Sequence, residues 1–180
     1  MRIRQMLSIS IGTAILAVCS QISIPLFFTP VPITLQTFAI ILISIILGKP
    51  GVISVLIYTL LGALGAPVFA NFSGGFNSIA GPSGGYILGF ILMSMIISSY
   101  NHQKKNIFLF IIAYIGLIID YLFGTIQLKI YTGLSFYEAI AAGVLPFIIK
   151  DIIITSITVP LSLKIKKLIP YSISNSIKTN

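Results

Sequence analysis

The chain has 180 residues, of which 57% are hydrophobic and 8% charged, and its net charge is +8. A soluble domain carries about 25% charged residues, so this composition excludes one and predicts an integral membrane protein. One cysteine, Cys19, and one histidine, His102, leave no intrachain disulfide and no Cys/His zinc cluster.

The N-terminus, Met1-Arg-Ile-Arg before an apolar run ending at Cys19, has the outline of a secretory signal. Val18 before the cysteine suits a lipoprotein cleavage site poorly, and further apolar segments follow. The run is read as a first membrane helix retained in the mature protein. Six apolar segments are predicted, near 6–23, 33–47, 52–66, 83–99, 107–130 and 139–163, against about 20 residues for a span. The second and third are short and are separated only by Gly48-Lys-Pro-Gly51. They suit either two short spans or a re-entrant pair, and the charge pattern favours two spans.

With six spans, one side receives Arg2, Arg4, Lys49, the turn from His102 to Lys105, and a short basic tail from about residue 164 with Lys164, Lys166, Lys167 and Lys178. That is nine of the eleven basic residues. The bias of Lys and Arg to cytoplasmic loops places both termini inside. It also accounts for the positive charge without a nucleic-acid partner. The expected architecture is therefore an all-α, six-helix membrane bundle forming one domain over residues 1–180.

On the other side lie a first outer loop stiffened by Pro25, Pro30 and Pro32 and a long loop between the third and fourth spans. The long loop belongs to an uncharged stretch, 67–90, with Gly74, Gly75, Gly81, Gly84, Gly85 and Gly89 beside Phe69, Phe72, Phe76 and Ile79. Glycine lets backbone approach closely and the aromatics supply contact area. Two readings stay open: a lid over a ligand, or a hairpin that covers helix ends. Gly81, Gly85 and Gly89 recur every fourth residue, which predicts close helix packing. Pro146 and Pro160 fall within the last span, where each frees a carbonyl that protein or a wet cavity must satisfy.

Asp120, Lys150 and Asp151 lie inside apolar spans, where facing lipid costs several kcal/mol, from about 2.5–3.5 upward. They are expected to face the interior. Asp120 and Lys150 sit at similar depth on antiparallel segments, so an Asp120–Lys150 pair is one expectation. Asp151, about 100° round the helix from Lys150, is left without an obvious partner and becomes a functional-site candidate. The sequence has no Gly-x-x-x-x-Gly-Lys-Ser/Thr loop, no His-Glu-x-x-His and no Gly-x-Ser-x-Gly, so nothing predicts an enzyme.

Several segments together resemble one family: Ser20-Gln-Ile-Ser-Ile-Pro25, Pro30-Val-Pro-Ile-Thr-Leu-Gln-Thr37, the run from Leu60 to Ala70, Phe72-Ser-Gly-Gly75, the run from Gly81 to Phe90, and Ala141-Ala-Gly-Val-Leu-Pro-Phe147. In this order they are similar to the BioY family, the biotin-specific substrate-capture (S) subunits of energy-coupling-factor transporters. The resemblance implies a bacterial cytoplasmic-membrane protein without a cofactor of its own, binding biotin under the loop after span three. Uptake would be powered by a transmembrane coupling subunit and a pair of ATPases, which alone use ATP. It also implies a small-residue docking face on the first helix at Ser10 and Ala14, with Val18 a bulkier departure.

For the ligand, Asp151 is expected to accept from ureido N–H and Asn71 to contact it from the lid. Tyr86, Gly84 and Gly85 are expected at the start of span four and Phe69 and Phe72 over its apolar part, with Gln36, Thr34 and Lys150 as further candidates. The family's last helix commonly has Pro-Gly-Asp with a lysine three residues after the aspartate; here it reads Ile149-Lys-Asp151, with Ile154 at the lysine position. Lys150, one turn from 154, can replace that cation. The departure also leaves open an S subunit for another small vitamin, and outside the resemblance a membrane assembly protein without a ligand.

Overall fold

The computed structural model describes residues 3–100 and 106–168. Arg2, the turn from His102 to Lys105, and the tail beyond 168 with Lys178 lie outside the described residues.

The chain is mostly helical. Helix α1 (Ile3–Gln21) leads into an antiparallel ribbon of β1 (Ser23–Leu26) and β2 (Thr29–Thr34), then α2 (Gln36–Leu47) and α3 (Lys49–Ala63). A 3-10 turn (Ala70–Phe72) and α4 (Phe76–Ala80) precede α5 (Gly84–Ser98), α6 (Asn106–Thr132), α7 (Phe136–Gly143) and α8 (Leu145–Leu168). Among the described residues, α1, α6 and α8 are long and apolar enough to cross a membrane, and α2, α3 and α5 are shorter apolar helices.

Two sequence expectations are corrected here. The proline-stiffened first loop pairs with itself, Ser23 with Thr34 and Leu26 with Thr29, across a bulge, so the protein is not purely α-helical. Pro fixes φ and lacks only a donor, and in a two-stranded ribbon each strand has an outer edge that needs none. The last apolar segment is two helices, not one. Pro146 stands in the first turn of α8, where its missing N–H costs nothing, and Pro160 lies in the interior of that helix.

Helix α2 is the centre of the bundle. Eight of its twelve residues are buried, the pattern of a helix that is apolar all round, and it touches α1, α3, α5 and α8. Gly48 joins it to α3 with a φ of 65°, and Gly51 lets α3 lie against the Ile43 carbonyl. Buried hydroxyls close the remaining gaps. Thr13 donates to the Ser54 carbonyl and Ser54 to that of Ile9, at 3.1 and 3.0 Å, and Ser44 meets Ser94 at 2.8 Å.

The α5–α6 pair packs on glycine from both sides. A Cβ on Gly85 would stand 2.2 Å from the Phe123 carbonyl oxygen, and one on Gly124 would enter the Tyr86 ring. The spacing of Gly85 and Gly89 is thus a packing device, as predicted. Gly81 closes α4 instead.

The helix ends sort by charge. Lys166 near the end of α8 donates to the Ile45 carbonyl near the end of α2, beside the turn that carries Lys49. Ile9, near the start of α1, meets Ser54 near the start of α3. Arg4, Lys49, Lys164, Lys166 and Lys167 therefore share one end. The opposite end carries the ribbon, the loop with α4, and α7. Ser135 and Glu138 cap α7 reciprocally, a capping box whose hydrogen bonds hold the Glu138 carboxyl below its ordinary range.

Gly85→Ala is expected to lower the melting temperature of the detergent-solubilised protein. Overpacking costs about 1–3 kcal/mol, more than the helix propensity gained, about 1 kcal/mol. A variant as stable as the parent would show that α5 and α6 can separate freely.

Candidate functional site

At the end away from the lysine cluster, the bundle encloses a cavity of about 240 Å³. Its floor and walls come from β2, α2, α5, α6 and α8, and its roof from the loop between α3 and α5. Val31, Phe69, Ile87, Phe90 and Phe147 give it an apolar lining; Thr34, Gln36, Asn71, Asn77 and Ser83 add neutral polar groups; Asp120, Lys150 and Asp151 add charge. A mostly apolar pocket with a few convergent polar groups is the usual form of a small-molecule site.

The charged groups are not arranged as the depth of the spans suggested. Lys150 does not pair with Asp120. Its Nζ lies 2.7 Å from Asp151 Oδ1 and donates to the Thr34 carbonyl at 3.0 Å. The four-carbon lysine stem reaches back past its own backbone, so the 100° between neighbouring residues does not keep them apart. The ammonium stands out of line for a directed bond to Oδ1, and that contact is an ion pair. Asp151 Oδ2 accepts from the Tyr121 hydroxyl at 2.6 Å. Asp151, expected to lack a partner, thus has two, and Asp120 is the carboxyl that has none among the described residues.

Other candidates are partly committed. Gln36 accepts from the Thr34 hydroxyl at 2.8 Å and donates to Tyr58 at 2.7 Å, so it ties the end of β2 to α3. Tyr86 donates to the Gly143 carbonyl at 2.6 Å, fixing the end of α7 over the cavity. Phe69 is 2% exposed and packs edge-on against Tyr58, centroids 5.4 Å apart.

The structure therefore brings Thr34, Gln36, Phe69, Asn71, Tyr86, Lys150 and Asp151 to one cavity. It does not bring Phe72, Gly84 or Gly85 into that lining. Phe72 is 71% exposed; Gly84 packs on the Ile79 carbonyl and Gly85 on α6. Ser10 and Ala14 lie on the exposed face of α1.

Sequence reasoning missed two of the side chains that hold the roof. Gln21, at the end of α1, donates to the carbonyls of Val68 and Phe69 at 3.2 and 3.1 Å and accepts from the Phe72 N–H at 2.9 Å. The turn it clasps has positive φ at Asn71 (58°) and Phe72 (54°), uncommon for any residue but glycine and most of all for a bulky one. Gln127 of α6 donates to the carbonyls of Ile79 and Gly81 at 2.6 and 2.7 Å. Gln21 stood inside a motif noticed for its resemblance, and Gln127 was a lone amide in an apolar span. Tyr121 was visible only as the neighbour of Asp120.

The model of the BioY family matches residues 1–171. The chain belongs to the BioY family. Among its relatives, the biotin transporter BioY of Thermotoga maritima is 40% identical over 92% of this chain and 97% of that protein. The probable biotin transporter BioY of Pyrococcus horikoshii is 40% identical over 85% of this chain and 90% of that protein. Among solved structures, the S-component for biotin from an ECF-type ABC transporter is 28% identical, with a TM-score of 0.85 over 92% of each chain. A chain of this transporter family with such apolar helices is membrane-embedded.

Gln21→Leu is expected to speed hydrogen exchange of the amides of residues 68–72 by about 100-fold, from three lost hydrogen bonds worth about 1 kcal/mol each. Amides of α2 and α5 should keep their rates. Unchanged exchange in the loop would show that apolar contacts alone hold it.

Proposed function

We propose that this chain is a biotin-capturing S subunit of an ECF-type transporter. Relatives 40% identical over most of both chains are called biotin transporters, and the cavity here has the chemistry such a ligand needs. Biotin is a neutral ureido ring with two N–H donors and a carbonyl, an apolar thioether ring, and a carboxylate tail. The Phe69, Phe90 and Phe147 walls suit its apolar part. Asn71 can both donate and accept. Asp151 supplies an acceptor for ureido N–H, and Lys150 a donor left over after its two protein contacts. The observation that carries the reading is the Lys150–Asp151 pair set in the wall of a roofed, otherwise apolar cavity.

In the membrane, the three shorter helices complete six crossings with α1, α6 and α8. Helix α2 is about 18 Å long at 1.5 Å per residue, short of the hydrocarbon thickness of about 30 Å. The adjoining β2, with Thr29, Val31 and Thr34 buried against the bundle, makes up the depth. The lysine-bearing end faces the cytoplasm of a bacterial cell, with both termini there, and the cavity opens outward. The exposed Ser10–Ala14 face of α1 docks on a transmembrane coupling subunit, and the ATP is used by a partner ATPase pair. Binding here needs no cofactor beyond the ligand.

Equilibrium titration of the detergent-purified protein tests this, with thiamine and riboflavin as controls. Saturable binding of biotin alone is expected. Asp151→Asn removes an acceptor and strands the Lys150 ammonium, so biotin affinity should fall at least about 100-fold, the scale of a broken buried pair. Binding of a control vitamin in place of biotin would overturn the substrate assignment, and unchanged affinity in Asp151→Asn would take that residue out of the site.

A further inference from the structure

The cavity wall holds two carboxyl groups and one ammonium. Asp151 takes the ammonium and the Tyr121 hydroxyl. Asp120 is 3% exposed and accepts no hydrogen bond from any described residue; its Oδ1 is sealed and unsatisfied. An unpaired carboxyl inside an apolar bundle is costly, and a buried polar group without a partner needs an explanation.

The surroundings leave one direction for a partner. Helix α5 closes one side, since a Cβ on Gly89 would stand 2.5 Å from Asp120 Oδ1 and 2.8 Å from Asp120 Cα. No donor fits between the helices there. The open side of the carboxyl is the cavity that it lines.

From this geometry we infer that Asp120 is a ligand-binding and specificity-determining residue that accepts an N–H of the bound molecule, opposite the held Asp151. The inference rests on the biotin reading above and deepens it. One ureido N–H goes to Asp120, so the two acids divide the two donors of the ring. A ligand lacking that donor leaves Asp120 buried and unpaired, and is rejected for that reason, as sites built around a hydrogen bond reject analogues without it.

The test uses full-length protein, biotin, and two carbamate analogues in which one or the other ureido N–H is replaced by a ring oxygen. Wild type should bind both carbamates more weakly than biotin, since each lacks a donor for one of the two acids. Asp120→Leu, which leaves no acceptor, should weaken biotin by about 10- to 100-fold, the range of a buried donor left unsatisfied, and leave unchanged the carbamate that lacks the donor for Asp120. Thermal unfolding checks that the variant is folded, and Asp120→Ser replaces it if it is not. A folded variant with wild-type biotin affinity overturns the inference. So does one that loses biotin and both carbamates by the same factor, which is a structural effect. A wild-type protein that binds no biotin overturns the functional reading, and this inference with it, and is told apart because no variant is needed to see it.

Discussion

A charge cannot face lipid, and α8 carries two adjacent ones. That constraint sets the rotation of α8 in the bundle. With Asp151 turned to the Tyr121 hydroxyl on α6 and Lys150 to the Thr34 carbonyl at the end of β2, α8 is tied on both sides. The apolar residues Ile149, Ile152 and Ile153 are left on its exposed face. A buried ion pair is weak evidence for stability, because desolvation offsets most of its attraction. Its value here is registry: other rotations of α8 would leave an ammonium or a carboxylate in hydrocarbon.

The rest of the bundle is adjusted to that arrangement by small residues. The close approach at Gly85, Gly89, Gly116 and Gly124 brings α6 against α5, which places Tyr121 and Asp120 at the cavity wall. The same packing leaves room for the Tyr86 ring over Gly124, and the Tyr86 hydroxyl then reaches the Gly143 carbonyl. One glycine-lined seam thus carries both the helix contact and the edge of the cavity. In a membrane, where apolar side chains gain little by leaving lipid for protein, close packing and buried hydrogen bonds are what hold helices together.

Much of this was legible in the sequence because it follows from solvent. Apolar runs marked the helices, and the lysines and arginines marked one end. The ionisable residues within spans marked the interior, and the glycine-rich stretch marked the roof. What was not legible depended on side-chain reach. Depth arithmetic placed Asp120 level with Lys150, but it treats a residue as a point on an axis, whereas a lysine carries its charge several ångströms from its backbone. Gln21 and Gln127 look like ordinary polar residues until the loop carbonyls they serve are seen. The β ribbon was hidden by its prolines, which argue against a strand in a sheet interior but not at an edge.

The roof and the bundle are held by different forces. Phe69 is sunk against Tyr58 and anchors one end of the loop. Beyond it the loop is exposed, and Gln21, Gln127 and the Gly75 N–H to the Gly62 carbonyl fasten it. Net hydrogen bonds of this kind contribute about 1 kcal/mol each, and water can replace them at the surface. Burial in the α2 core has no such substitute. Local opening draws on the least stable part of a structure, so the loop beyond Phe69 can lift while the walls stay assembled. The left-handed backbone at Asn71 and Phe72 is held by Gln21, which accepts from the Phe72 N–H, and by Ser23, which donates to Asn71 Oδ1. A ligand that reaches both Asn71 in the roof and Lys150 in the wall binds the closed form better than the open one, and that difference in affinity is what would keep the roof shut.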